Sequence, residues 1–231
     1  MLDTSTFPIS KRWPATKPDV LQLYSYPTPN GVKVAIALEE LNIPYEAHRV
    51  TLSDVDVKSP EFLSLNPNNK IPAIVDPDGP DGPLGLFESG AILIYLAEKT
   101  GKLIGNTPSE KAKVIQWLMF QMGGLGPMLG QLGFFYKFAG SKIEDPLPRE
   151  RYINEAKRLL AVLEKELEGK EWIAGEYSIA DIAIAPWLRA LDFYDAKEVV
   201  GWQDHPNLIA YVDRFVARPA VQVGLNTPPR D

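Results

Sequence analysis

The sequence predicts an α/β domain over residues 20–105 followed by an all-helical bundle over residues 106–231. Three observations lead there. Short strand-like runs alternate with helical patterns before residue 105. No strand pattern appears after it. Between the two regimes stands Gly105-Asn106-Thr107-Pro108, a turn that leads into a helix.

Residues 1–19 read as a loose extension, because Pro8, Pro14 and Pro18 oppose helix and no signal-peptide apolar core is present. Val20–Tyr24 is the first expected strand, with partial alternation. Tyr26-Pro27-Thr28-Pro29-Asn30-Gly31 is a turn, and Val32–Leu41 a helix. Tyr45–Leu52 suits a second strand, completing a βαβ unit of ordinary length. Pro60–Leu65 is a short helix. Ala73–Val75 and Leu84–Phe87 are strands flanking a Pro/Gly/Asp loop, and Ser89–Lys99 is a helix stopped by Thr100-Gly101. In the second part, Ser109–Tyr136 reads as a helix interrupted by glycines. Leu147–Leu167 is amphipathic, Ile179–Leu191 is apolar all round and therefore buried, and Pro206–Ala217 is a final helix.

Composition narrows the function. A length of 231 residues suits one large domain or two modest ones. A net charge of −6 argues against nucleic acid, whose phosphates call for a basic face. No run approaches the roughly 18 apolar residues that span a bilayer, so the expectation is a cytoplasmic protein without a membrane partner. The chain has no cysteine. Disulfides, thiolate metal sites and a cysteine nucleophile are thereby excluded. His48 and His205 stand far apart and read as structural or surface residues, and no metal site is expected. Any chemistry therefore relies on the reactive group of a bound molecule.

Three loops carry candidate chemistry. The helix opening near Gly31 leaves unpaired N–H groups and a partial positive charge, which stabilise anions, thiolates included. Thr28 and Asn30 stand just ahead of it, able to donate to such a thiolate, or, for Asn30, simply to cap the helix. Ile71-Pro72 opens a strand through an X-Pro bond. A cis bond there turns the Ile71 N–H and C=O outward, toward an extended peptide, whereas a plain strand-initiating proline does not. Lys70 adds charge for a ligand carboxylate, or is only solvated. Glu88-Ser89 can receive an ammonium and a carboxylate, or can be an ordinary helix start. All three loops lie at strand–helix edges of one small sheet, where α/β folds bind ligands.

In the second part, Ser178-Ile179-Ala180-Asp181 has the form of a capping box, with Asp181 buried and reaching back to a backbone N–H. Gly123-Gly124-Leu125-Gly126-Pro127-Met128-Leu129-Gly130-Gln131 places four glycines in a helix, at about 1 kcal/mol each relative to alanine. They imply close approach of a backbone or ligand, or tight core packing. Phe134, Phe135, Tyr136 and Phe138 follow as an aromatic wall.

These words resemble the cytosolic glutathione transferase family, over about residues 20–222. The likeness is carried by Ile71-Pro72, Glu88-Ser89, the order of elements and Trp172-Ile173-Ala174-Gly175 with Ser178-Ile179-Ala180-Asp181. Within the family the chain resembles the Nu class, related to fungal Ure2p-like proteins, through Pro27-Thr28-Pro29-Asn30-Gly31, Asn68–Asp76, Phe87–Ile92 and Gly123–Gln131. The resemblance implies a thioredoxin-like domain, a helical domain and a homodimer. It implies Thr28 and Asn30 as the groups that hold the thiolate, with Tyr24 and Ser25 as strand residues. Ile71 would pair with the cysteinyl part of glutathione, beside Lys70 and Pro72, while Glu88 and Ser89 hold the γ-glutamyl end. Arg151 matches a residue that reaches glutathione across the dimer. Val57 departs from a class glutamine at the glycyl end. Leu125, Phe134 and Tyr136 would line the second-substrate pocket.

The class binds oxidised glutathione, or two reduced molecules, and reduces disulfides. A cysteine-free chain fits that reading, since glutathione must then supply the attacking thiol. Two rival readings stay open. One is conjugation of the same thiolate to an electrophile held by Phe134, Phe135 and Tyr136. The other is a glutathione-binding regulator without turnover, disfavoured because residues 1–18 contain no Asn or Gln.

Overall fold

A computed structural model describes residues 4–230. Residues 1–3 of the expected extension and Asp231 lie outside the described residues. The chain divides into two compact units, Met1–Gly101 with Pro219–Asp231, and Lys102–Arg218. In chain order the first unit runs α1 (Ile9–Arg12), β1 (Leu21–Ser25), α2 (Gly31–Leu41), β2 (Tyr45–Arg49), α3 (Asp54–Val57), α4 (Pro60–Leu65), β3 (Ala73–Asp76), β4 (Leu84–Phe87) and α5 (Ser89–Thr100). The second holds α6 (Pro108–Phe120), α7 (Gly126–Gly133), α8 (Leu147–Glu166), α9 (Ile179–Phe193) and α10 (Pro206–Val216). Finally α11 (Pro219–Gly224) returns the chain to the first unit.

The first unit has the thioredoxin-like arrangement. Its four strands order as β2-β1-β3-β4, with β1 parallel to β2 and antiparallel to β3, and β3 antiparallel to β4. The alternation expected of β1 gives way to complete burial, because β1 is an interior strand with neighbours on both sides. Gln22 therefore needs internal partners. Its amide donates to the Lys17 and Val20 carbonyls, and its Oε1 lies 2.7 Å from His48 Nε2. His48 also stacks on Tyr24 at 4.8 Å between ring centroids. This is the structural histidine that the sequence suggests.

The stretch expected to be loose is ordered from Ile9. Pro8 occupies the N-cap of α1, where its missing N–H forfeits no helical hydrogen bond. Ile9 is fully buried and joins Tyr24, Val50, Val57, Phe62, Ile71 and Val75 in one apolar cluster, with Phe7 and Trp13 packed on it. The Trp13 indole N–H donates to the Arg49 carbonyl at 3.0 Å. At the other end of the unit α11 packs across α2 so closely that a Cβ on Gly224 would lie 2.6 Å from the Ile36 Cα.

Every named element of the second unit is a helix, among its described residues. Thr107 and Glu110 form a reciprocal capping box on α6. The predicted helix over Ser109–Tyr136 exists but is not uniform, since π-helical turns occupy Gln121–Leu125 and Phe134–Phe138. Such turns absorb an extra residue into a helix, and hydrophobic periodicity does not mark them. In α9 all but a few residues are buried, as its all-round apolar sequence requires. Asp181 is fully buried and accepts the Ile173 and Ser178 N–H groups at 3.0 and 2.9 Å. Burial raises its carboxyl to about 6 against those hydrogen bonds.

Candidate functional site

Strand register brings the three candidate loops of the first unit to one edge of the sheet. Tyr24 pairs with Ala73, and Ala73 pairs with Phe87, so these three residues form one row across β1, β3 and β4. β1 leaves that row toward Ser25 and the Tyr26–Asn30 loop. β3 runs the other way, so the residues ahead of its start, Ile71 and Pro72, lie at the same end. β4 leaves toward Glu88. Residues more than 60 positions apart in sequence thus meet because of strand direction alone.

At the first loop, the Thr28 hydroxyl accepts the Gly31 N–H at 3.2 Å. The capping bond expected of Asn30 is absent, since its side chain makes no cap hydrogen bond. Having used a lone pair on Gly31, the Thr28 hydroxyl retains its own proton to donate. Gly31 is obligatory for steric reasons. A Cβ there would lie 1.8 Å from the Tyr26 carbonyl oxygen and 2.6 Å from Ser25 Oγ. Tyr24 and Ser25 are buried strand residues, as expected.

The second loop is held by Asn66, the buried residue that ends α4. Its side-chain amide donates to the Lys70 carbonyl, and its Oδ1 accepts the Asn68 N–H at 2.9 Å. Asn69 takes a left-handed φ of 51°, and Lys70 is exposed. The Ile71-Pro72 bond is cis. The Ile71 side chain sits in the apolar cluster, only 8% exposed, while its N–H and C=O take no backbone partner among the described residues. Val57 buries its side chain in the same cluster.

The third loop departs from an ordinary helix start. Glu88 has φ 73° and ψ 111°, a conformation unfavourable for any residue with a Cβ, and its side chain makes no cap bond. Its carboxylate is solvent-exposed, while Ser89 is buried at 4% exposure.

Between the first and third loops lies a residue that no sequence motif singles out. Lys33, on the first turn of α2, is fully buried. Its ammonium donates to Asn30 Oδ1 at 2.8 Å and to Ser89 Oγ at 3.4 Å. Burial pulls it from the usual lysine value down to about 7, against the opposing charge of Glu88. The available signal was its setting. Gly31-Val32-Lys33-Val34-Ala35-Ile36-Ala37-Leu38 has no other polar side chain, and a helix apolar all round is buried all round.

The other candidates belong to the second unit. Leu125 is wholly buried at the end of the first π-helical turn. Phe134 is half-exposed and meets Phe135 edge-on at 5.1 Å, and Phe135 stacks on Tyr152 at 5.3 Å. Tyr136 is half-buried beside them in the sequence, and Arg151 is exposed on α8. The glycine run has two characters. A Cβ on Gly126 would press on Gln121 and Trp187, so core packing explains it, whereas Gly123 and Gly124 have nothing within 4 Å. His205 precedes α10. Among the described residues no cluster of ligating side chains could hold a metal ion, and no helix is long and apolar enough to cross a membrane.

Residues 19–98 match the glutathione S-transferase N-terminal domain, and residues 141–219 the glutathione S-transferase C-terminal domain. The disulfide-bond oxidoreductase YfcG of Escherichia coli K12 is 47% identical over 204 residues, which span 87% of this chain and 92% of that protein. A glutathione transferase from Burkholderia graminis, solved with two glutathione molecules bound per subunit, is 63% identical. It superposes with a TM-score of 0.97 over 100% of this chain and 98% of its own. A glutathione transferase from Pseudomonas putida, solved with one glutathione disulfide bound per subunit, is 56% identical, with a TM-score of 0.96 over 98% and 99% of the two chains. The chain belongs to the glutathione S-transferase family, among members of the Ure2p/YfcG type.

Proposed function

We propose that this protein is a glutathione-dependent disulfide reductase in which glutathione supplies all the reacting sulfur. The observation that carries the reading is the convergence of Thr28, Asn30, Ile71, Glu88 and Ser89 at one sheet edge of a chain without cysteine. Each group suits one part of the tripeptide. The N–H and C=O of Ile71, which take no backbone partner among the described residues, pair with the cysteinyl backbone, beside Pro72. Glu88 receives the γ-glutamyl ammonium and Ser89 its carboxylate. Lys70, exposed at the loop tip, faces a carboxylate. The Thr28 hydroxyl and the Asn30 amide, with the N-terminal end of α2, stabilise the sulfur as a thiolate.

The chemistry is thiol–disulfide exchange. A glutathione thiolate attacks one sulfur of a disulfide R–S–S–R, forming a mixed disulfide and expelling one thiolate, which takes a proton to become R–SH. A second glutathione thiolate attacks the glutathione sulfur of the mixed disulfide, releasing the second R–SH and leaving oxidised glutathione. Two glutathiones are oxidised for each disulfide reduced. The protein's contribution is to hold the first thiolate deprotonated and aimed.

The working unit in this reading is a homodimer, with exposed Arg151 reaching the glutathione of the other subunit. Leu125, Phe134 and Tyr136 serve as the apolar pocket for the second substrate. A cytoplasmic setting, where thiols are kept reduced, suits the need for reduced glutathione. The half-exposed Phe134 favours one second reading, conjugation of glutathione to an apolar electrophile. Turnover of 2-hydroxyethyl disulfide by the purified protein, set against turnover of 1-chloro-2,4-dinitrobenzene, separates the two. The reductase reading requires the disulfide to be the better substrate, with oxidised glutathione as product. A dominant conjugating activity contradicts it.

A further inference from the structure

The fully buried Lys33 has no role in the reading above, and its partners are two of the groups assigned to glutathione. We propose that Lys33 is a positioning residue that turns Asn30 and Ser89 into hydrogen-bond donors toward glutathione. The inference rests on the assignment of Asn30 and Ser89 to the glutathione site.

The argument is one of hydrogen-bond polarity. An ammonium has three donors and no acceptor. Facing Lys33 at 2.8 Å, the Asn30 carboxamide must present its oxygen, which directs its Nδ2 donors away from the lysine. Without that constraint the two ends of the amide are nearly equal in shape, and the oxygen could face the ligand sulfur, where it would repel a thiolate. The same logic governs Ser89. Its Oγ accepts from Lys33 at 3.4 Å, so the hydroxyl proton points elsewhere, as donation to a carboxylate requires. One cation thus sets the polarity of two groups that start from different helices. It does so from full burial, without needing to touch the ligand. Glu88 is the other charged group whose field acts on it. A buried lysine beside polar groups is an arrangement that folding stability alone does not favour, and the depression of its ionisation to about 7 expresses that cost.

The test is a double-mutant cycle on the full-length protein. Lys33→Met keeps length and volume and removes every donor. Alone, it lowers kcat for 2-hydroxyethyl disulfide by about 10-fold and raises the KM for glutathione, because Asn30 and Ser89 lose their orientation. In an Asn30→Ala background it lowers kcat by less than about 2-fold, since the group being oriented at the sulfur is gone. An equal loss in both backgrounds overturns the proposal while leaving the glutathione site intact. Wild-type turnover by Asn30→Ala instead overturns the site assignment and the proposal with it. The wild-type protein provides a readout that does not depend on a variant folding. With nitrogen-labelled lysine, saturating glutathione shifts the NMR signal of the Lys33 ammonium, because the ligand then binds at both of its partners. An unmoved signal contradicts the proposal.

Discussion

Lys33 Nζ lies 2.8 Å from Asn30 Oδ1, so the side chain assigned to the glutathione sulfur is anchored from below by a buried cation. Asn30 stands at the N-cap position of α2 without capping it, and Thr28 takes the capping bond instead. A helix N-terminus whose cap-position side chain is held by a buried lysine, rather than by the helix, suits the proposed role of Asn30 at the glutathione sulfur.

Asn30→Ala removes the proposed donor to the thiolate and no capping bond. Disulfide reduction is expected to fall by about 100-fold or more, the scale seen when one preorganised donor to a developing anion is deleted. The thermal midpoint is expected to stay within a few degrees. Steady-state kinetics and a thermal melt on the same preparation check both halves.

Lys33→Met is expected to melt higher than wild type at pH 7, since an apolar side chain of similar volume replaces a buried cation. The sign of the pH effect follows from ionisation. The folded protein holds Lys33 at about 7, against 10.5 as the ordinary lysine value. Between those values the unfolded chain binds the extra proton, so wild-type stability rises with pH across that window. The advantage of the Met variant should therefore shrink by about 2 kcal/mol between pH 7 and pH 9, as followed by urea unfolding at each pH. A constant gap would show that Lys33 ionises normally.

Glu88→Gly separates stability from function at the third loop. The φ of 73° suits glycine, and relief of the strain is expected to stabilise the fold by about 1 kcal/mol. The same change deletes the proposed partner of the γ-glutamyl ammonium and should raise the KM for glutathione about 10-fold or more. Chemical unfolding and initial-rate kinetics give the two numbers.

Asp181→Ala acts on the second unit alone. It leaves the buried Ile173 and Ser178 N–H groups without their acceptor. A loss of about 3–5 kcal/mol is expected, from two buried donors left unsatisfied and a small cavity. It would appear as a fall in thermal midpoint without a specific change in glutathione affinity of the remaining folded protein.

Much of this was legible in the residues. The βαβ start, the pair of strands around the Pro77–Pro83 loop and the helical second part follow from periodicity and turn chemistry. Pro60–Leu65 and Leu84–Phe87 occur within the expected bounds. The misses share physical causes. Pro8 reads as a helix breaker, yet it stands at the N-cap of a short helix, where a missing N–H is tolerated. The π-helical turns beside Leu125 and Phe134 shift a helix by one residue, which periodicity does not resolve. The alternative of a cap at Asn30 is not taken up, because the hydroxyl two residues earlier bonds Gly31. Residue type alone does not mark Lys33, because lysines are usually solvated. What buries it is long-range, since its partner Ser89 stands 56 residues away.

The most direct test of the central claim is a crystal structure of the protein soaked with glutathione. The account predicts the cysteinyl backbone paired with the N–H and C=O of Ile71, the γ-glutamyl end on Glu88 and Ser89, and the sulfur within hydrogen-bonding distance of Thr28 Oγ1 and Asn30 Nδ2. Glutathione bound elsewhere, or bound at this edge with its sulfur turned away from Thr28 and Asn30, would contradict it.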